Sequence, residues 1–157
     1  MGWWWTAGGE EETEKIAPSR RPPAGPRGRI LIVEDDEPTA RILRRALELE
    51  YEVHWAADGD AALAILGADP DWDLVITDIV MPGTDGIALG TALKRSLATR
   101  AIPVFFMTGE DTPGHLVAAI GAGARRYLSK PLSLSALEAA VRSALGPSSW
   151  PGVSRRG

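Results

Sequence analysis

The chain has 157 residues, of which 45% are hydrophobic, with no cysteine and a formal net charge of −4. This length suits one domain with tails, and the absence of cysteine excludes disulfides, thiolate metal sites and cysteine nucleophiles. It also suits a reducing compartment, so we predict a cytoplasmic protein. No run reaches the roughly 18 apolar residues of a membrane helix, and no secretory signal opens the chain, so no membrane contact is predicted.

The two ends of the chain differ in composition from its middle. Residues 1–29 hold an acidic run, paired glycines and four prolines without apolar periodicity, and are predicted to be a disordered arm. Its tryptophans, Trp3–Trp5, are either incidental or an aromatic anchor for a partner. Residues 147–157 are predicted to be a disordered tail, which leaves a domain over residues 30–146. The arm carries +1 and the tail +2, so this domain carries the difference, −7, and we predict no direct nucleic-acid contact.

In chain order, short apolar runs alternate with helical patterns. The predicted strands are Ile30–Val33, Glu52–Ala57, Leu74–Thr77, Ile102–Met107 and Arg126–Leu128. The first helix begins near Pro38, with an apolar stripe of Ile42, Leu43, Ala46, Leu47 and Leu49. The later helices are Gly59–Leu66, capped by Asp58, then Ile87–Ser96, Pro113–Ile120 and Ser133–Leu145, the last with a stripe of Leu134, Leu137, Val141 and Leu145. Five strands alternating with five helices predict an α/β domain with a parallel sheet covered on both faces.

Polar side chains stand where the predicted strands end. Glu34 and Asp35 follow the first strand, Asp78 the third, Thr108 the fourth and Lys130 the fifth. Because reactive sites of such folds lie at the carboxyl ends of the strands, we expect these residues to converge.

The carboxylates of Glu34, Asp35 and Asp78 would repel one another unless a cation offsets their charge. Magnesium prefers oxygen ligands and keeps several waters, so it suits this set. Taken alone, the run Glu34–Glu37 is equally well a solvated helix start, favoured by the helix dipole. The presence of Asp78 beside Glu34 and Asp35 favours the metal site over a solvated helix start.

A strand-end carboxylate such as Asp78 can attack phosphorus and form an acyl phosphate. Lys130 can supply positive charge to the phosphoryl oxygens, Thr108 can supply a hydroxyl, and Gly109 leaves room for the group. The plainer alternatives are that Asp78 caps a loop and that Lys130 is exposed before a turn. A cis bond before Pro131 would aim the lysine inward.

Five ordered motifs carry a resemblance to a known family. They are the run Ile30–Asp36, the loop Asp78–Gly86, the triplet Met107–Gly109, the pair Gly123–Ala124 and the run Tyr127–Pro131. Residues 30–146 thereby resemble the receiver domain of two-component response regulators, the family that includes the chemotaxis regulator. The resemblance implies one doubly wound, flavodoxin-like (βα)5 domain with strand order 2-1-3-4-5.

The resemblance also implies roles at the acidic end of the site. Asp78 would accept a phosphoryl group from a histidine kinase or a histidine phosphotransfer protein. Asp35 would ligate Mg²⁺ directly, Glu34 through water, and Val80 through its backbone carbonyl. Asp36 would lie outside the site.

On the other side, Thr108 and Lys130 would bind phosphoryl oxygens, and Tyr127 would turn inward as Thr108 moves. The face of the fourth helix, fifth strand and fifth helix would then change shape for a downstream protein target, or for a homodimer. In the family, positions matching Val80 and Glu110 influence autodephosphorylation. Apolar Val80 cannot orient a water, so slow hydrolysis is expected.

Three other functions compete with this interpretation. An aspartate-nucleophile phosphatase would need a second Asp at Val80, and a flavodoxin-like cofactor binder would not place Glu34–Glu37 where a phosphate binds. A non-phosphorylated pseudo-receiver, acting as a protein-binding adaptor, usually lacks a site residue, and none is missing here. The short tail after Leu145 predicts a stand-alone receiver or phosphorelay intermediate, and not an enzyme beyond self-catalysed phosphoryl transfer.

Overall fold

The structure, a computed structural model, describes residues 27–110 and 112–146. The predicted tail and all but the last three residues of the predicted arm lie outside this part of the chain, so both stay predictions. Within the described ranges, no helix combines the length and the apolar character needed to cross a bilayer.

Strands and helices alternate along the described chain in the predicted order. The strands are β1 (Arg29–Val33), β2 (Glu52–Ala56), β3 (Leu74–Asp78), β4 (Val104–Thr108) and β5 (Arg126–Ser129). The helices are α1 (Glu37–Leu47), α2 (Gly59–Ala68), α3 (Gly86–Arg95), α4 (Pro113–Gly121) and α5 (Leu134–Leu145).

The strands form one parallel sheet in the order β2-β1-β3-β4-β5, which confirms the predicted order. The chain runs from β1 outward to β2 and then returns across β1 to β3. The strand order therefore reverses between β1 and β3, and folds of this type bind their ligands outside the carboxyl ends of the strands at such a point.

The central strands are buried on both faces, which is why they read as continuous apolar runs. Their side chains alternate between two apolar clusters. One cluster joins Leu31, Val75 and Phe106 to residues of α2, α3 and α4. The other joins neighbouring strand residues such as Ile32 and Phe105 to α1 and α5. Both faces of the sheet are thus covered by helices, and each helix start lies near the carboxyl edge.

Every helix of the described chain begins with a side-chain cap. The capping residues, each accepting a hydrogen bond from a backbone amide of the first turn, are Asp36, Asp58, Asp85, Thr112 and Ser133. Asp36 accepts the Thr39 amide at 3.1 Å, which gives it a structural role beside the acidic pair that precedes it.

Two predicted apolar stripes are partly wrong. In α1, Leu43 and Leu47 are buried, but Ile42 is 55% exposed and Leu49 is 91% exposed. The helix ends at Leu47, so Leu49 lies in the following turn, and Ile42 is rotated away from the sheet. Leu134 is 38% exposed because it opens α5, before the helix reaches the core.

Gly86 lets the first turn of α3 lie directly against the end of β3. Its amide donates to the Ile79 carbonyl at 2.9 Å, and a Cβ at this position would overlap the backbone carbonyl of Asp78. A side chain here would therefore push α3 away from the site-bearing loop.

We expect Gly86→Ala to lower the free energy of unfolding by about 2–3 kcal/mol, the upper range for overpacking. The matched control is Gly67→Ala near the end of α2, where a Cβ meets no atom within 4 Å. Alanine there should raise the free energy of unfolding by roughly 0.5–1 kcal/mol, because glycine is the more costly residue in a helix. Urea denaturation measures the free energy of unfolding of both variants. An equal change in the two variants would contradict the close approach at Gly86.

Candidate functional site

The carboxyl edge of the sheet brings together side chains that are far apart in sequence. The Lys130 ammonium donates to Glu34 Oε1 at 2.8 Å and to Asp78 Oδ2 at 2.9 Å. These three residues stand at the ends of β5, β1 and β3, so the register of the parallel sheet sets their distances. The peptide bond between Lys130 and Pro131 is cis.

Lys130 is held in its charged form by this arrangement. Burial alone would lower its pKa, but the hydrogen bonds and charges of Asp78 and Glu34 outweigh burial and raise the pKa above the ordinary lysine value. Deprotonation of Lys130 therefore removes none of the stability of the two ion pairs below the ordinary lysine pKa. It removes that stability as pH rises through the raised value.

Glu34 is the most enclosed carboxylate of the site, with no solvent-exposed surface. Burial raises its pKa, and the neighbouring Asp78 charge adds to this, against the opposing effect of Lys130 and of the Asp36 amide. That amide donates to Glu34 Oε2 at 3.1 Å, while the Trp55 indole donates to the Glu34 carbonyl at 2.8 Å. With Lys130 on Oε1 and the Asp36 amide on Oε2, both oxygens of this buried carboxylate are fixed in place, and a perturbed buried acid of this kind is typical of a functional site.

Three carboxylates could hold a cation. Oxygen atoms of Glu34, Asp35 and Asp78 lie within 4.8 Å of one another, with Asp35 exposed at the rim. A hard divalent cation such as Mg²⁺ suits an all-oxygen donor set that leaves positions for water. Val80 adjoins this set, because its amide donates to Asp78 Oδ1 at 3.3 Å. Its carbonyl as a metal ligand stays a prediction.

Thr108 lies at the end of β4 and is fully buried, but its hydroxyl is engaged away from Asp78. Thr108 Oγ1 donates to the Glu110 carbonyl at 3.1 Å and accepts the Glu110 amide at 2.9 Å. Beside it, a Cβ added to Gly109 would meet no atom within 4 Å. There is therefore room next to Thr108, and the hydroxyl has to change partner before it can bind a group on Asp78.

The Tyr127 ring lies inward in this structure. Tyr127 is half-buried, its hydroxyl oxygen is shielded from solvent, and it stands opposite Phe106 in the sheet register. The ring packs against the apolar cluster that includes Ala119 and Ala122. Burial of an aromatic ring is favourable by itself, so the inward orientation does not require a change at Thr108.

Some residues that support the site were not singled out from sequence. Thr84 donates to Asp60 at 2.6 Å, which ties the loop between β3 and α3 to the start of α2. The sequence predicts no role for Trp55, which lies in the second strand, or for Asp85, which lies in the motif Asp78–Gly86, yet Asp85 caps α3. Asp85 could have been found from the cap pattern, since it precedes an apolar helical stretch. The pairing of Thr84 with Asp60 has no local signal.

Comparison with known proteins agrees with this geometry. The family described as "Response regulator receiver domain" matches residues 30–142. The response regulator PleD of Caulobacter vibrioides is 40% identical over 116 residues, covering 73% of this chain and 25% of PleD. The transcriptional activator protein IrlR of Burkholderia pseudomallei is 38% identical over 118 residues, covering 74% of this chain and 50% of IrlR. The receiver domain of a signal transduction histidine kinase from Syntrophus aciditrophicus is 32% identical with a TM-score of 0.71, covering 83% of this chain and 99% of that one.

The chain thus spans between a quarter and a half of the length of these two curated relatives. A stand-alone or phosphorelay role accordingly stays a prediction. The flavodoxin-like fold and the resemblance stated from sequence are both confirmed. The chain belongs to the response regulator receiver domain family of two-component signal transduction.

Proposed function

We propose that this chain is a phosphorylation switch in which Asp78 accepts the phosphoryl group of a histidine kinase or a histidine phosphotransfer protein. The observation that carries the proposal is the contact of the Asp78 carboxylate with Lys130, within a cluster of three carboxylates at the strand-order reversal. The proposal is supported because a carboxylate that can act as a nucleophile, a positive charge and oxygens that can ligate a metal lie together.

The transfer step forms a bond between an Asp78 carboxylate oxygen and phosphorus while the bond from phosphorus to the donor histidine nitrogen breaks. Lys130 offsets negative charge on the phosphoryl oxygens, and Thr108 provides a hydroxyl hydrogen bond after leaving the Glu110 backbone. The Glu34, Asp35 and Asp78 carboxylates and the Val80 carbonyl would hold Mg²⁺. When bound, this ion supplies further positive charge to the transferring group.

The conformational change of the switch follows from the negative charge of the phosphoryl group. A phosphoryl group adds nearly two negative charges and three acceptors, which favour movement of the Thr108 hydroxyl toward Asp78. The output face is made of α4, β5 and α5, as in the resemblance. On α4, Leu116 is 41% exposed, Val117 69% and Ile120 65%, which suits a downstream protein target or a second copy of the chain.

Two competing functions fit the site less well. A pseudo-receiver adaptor would not need the buried ion pairs of Lys130, since protein binding at the output face does not use them. An aspartate-nucleophile phosphatase needs an acid two residues after the nucleophile, and this position is Val80, which can neither give nor take a proton.

The proposal predicts that the full chain, incubated with acetyl phosphate and Mg²⁺, gains one phosphoryl group in intact mass. The gain should be absent in Asp78→Ala and absent when Mg²⁺ is chelated. The control Asp71→Ala changes an exposed aspartate at the opposite edge of the sheet and should be phosphorylated like the unaltered chain. Phosphorylation of Asp78→Ala to the same extent would refute Asp78 as the acceptor.

Lys130→Met is expected to tighten Mg²⁺ binding while slowing phosphorylation. The ammonium competes with a cation for Glu34 and Asp78, and unit charges about 5 Å apart interact by about 3 kcal/mol at an effective dielectric constant of 20. Partial exposure screens much of this, so we expect affinity to rise by roughly an order of magnitude.

The matched control is Lys94→Met in the last turn of α3, whose ammonium donates to the Arg100 carbonyl at 3.2 Å, remote from the site. Isothermal titration with Mg²⁺ measures the affinity of the unaltered chain and of both variants. Weaker or unchanged binding by Lys130→Met would show that the lysine does not compete with the cation.

Val80→Asn should shorten the lifetime of the phosphorylated chain. The Val80 side chain is 48% exposed beside Asp78 and cannot hydrogen-bond a water, whereas an amide can orient one for attack. We expect decay to accelerate by roughly three- to tenfold, the effect of one hydrogen bond of about 1 kcal/mol. The decay is followed by intact mass after removal of acetyl phosphate, with Val80→Ile as the apolar control. Equal decay of the Asn and Ile variants would contradict this role of Val80.

A further inference from the structure

The backbone carbonyl of Glu110 receives three hydrogen-bond donors. His115 Nδ1 lies 2.6 Å from it, the Thr112 amide 2.9 Å and the Thr108 hydroxyl oxygen 3.1 Å. A carbonyl oxygen has two lone pairs, so three donors compete for two positions. The Thr108 hydroxyl, at the greatest distance, is the weakest of the three.

The contact with His115 also fixes the state of its ring. A carbonyl can only accept a hydrogen bond, so Nδ1 has to carry the proton. His115 lies in the first turn of α4, where its own backbone amide donates to the capping Thr112 hydroxyl at 3.2 Å. The ring is therefore anchored to the helix start and reaches back to the loop that follows Thr108.

We infer that His115 is a positioning residue that releases the Thr108 hydroxyl for a phosphoryl group on Asp78. This inference rests on the proposed function. The Thr108 hydroxyl has a single proton, which it now gives to the Glu110 carbonyl. When that proton turns to a phosphoryl oxygen, His115 and Thr112 keep the carbonyl fully paired, so the movement leaves no unsatisfied acceptor.

Without the imidazole, the balance at the carbonyl changes. Only Thr112 and Thr108 would remain as donors, and the Thr108 bond would shorten and strengthen because a lone pair is free for it. Turning the hydroxyl toward Asp78 would then leave the Glu110 carbonyl short of a partner. His115 acts through Thr108 and the loop, and it does not itself touch Asp78, Lys130 or the carboxylate cluster.

The experiment uses beryllium fluoride, a tetrahedral mimic of the phosphoryl group, with the full chain at saturating Mg²⁺. The Kd is read from the Val80 amide signal in heteronuclear NMR, because this amide donates to the Asp78 carboxylate. His115→Ala should raise the Kd by roughly two- to tenfold, the equivalent of one net hydrogen bond. His115→Asn, whose amide nitrogen occupies the position of Nδ1, should restore most of the affinity.

Two further variants separate positioning from a general effect on α4. Gly121→Ala changes an exposed residue of the same helix, where an added Cβ meets no atom within 4 Å, and should leave the Kd unchanged. In a Thr108→Ala background, His115→Ala should have no further effect, because the hydroxyl that it releases is gone. The inference would be overturned if His115→Ala lowered the affinity for beryllium fluoride equally in the presence and absence of Thr108, or if it did not lower the affinity at all. Alanine favours helix more than histidine does, so a loss cannot be ascribed to helix propensity.

A second readout does not depend on phosphoryl chemistry. Nitrogen chemical shifts of the imidazole at neutral pH should show His115 with its proton on Nδ1, and a ring with its proton on Nε2 alone would also overturn the inference. If the unaltered chain fails to bind beryllium fluoride at Asp78, the proposed function fails with it. If the chain binds but the His115 variants are indistinguishable from it, only the role of His115 fails.

Discussion

One buried ion pair sets the conditions for the rest of the site. Glu34 has no exposed surface, and a carboxylate in that position is costly unless an opposite charge and hydrogen bonds offset its burial. Lys130 supplies the charge and simultaneously contacts Asp78, so the same ammonium that compensates Glu34 also holds the proposed acceptor. The strand ends have to keep their register for this contact to exist, which ties the chemistry of the site to the packing of the sheet.

The sheet explains how distant residues share one crevice. Glu34 and Lys130 are separated by 96 positions, yet both follow strands that end at the same edge. The close approach of Gly86 to the end of β3 and the bond from Thr84 to Asp60 bring α3 and α2 against the loop that leaves Asp78. The proposed acceptor is thus positioned by packed elements of the fold, whereas the Thr108 hydroxyl is bonded to the Glu110 backbone and would have to change partner to reach it.

The sequence predicts this fold correctly where a residue pattern is compatible with only one structural element. Buried parallel strands require apolar runs, and their ends are where polar residues gather, so the edge with Glu34, Asp78 and Lys130 could be predicted. The sequence does not predict a hydrogen bond whose partner is a backbone group or a residue remote in sequence. The carbonyl of Glu110 as partner of Thr108 leaves no trace in side-chain identities. Ile42 shows the reverse problem, because an apolar residue on an exposed helix face resembles a core residue until the helix rotation is known.

The inward Tyr127 ring has a consequence for how this domain divides its time between states. The ring already occupies the apolar space beside Phe106, while the Thr108 hydroxyl is still held by Glu110. In the proposed switch, phosphorylation therefore has to move the Thr108 hydroxyl but not the ring, so the free-energy difference between the two states contains no cost for turning Tyr127 inward.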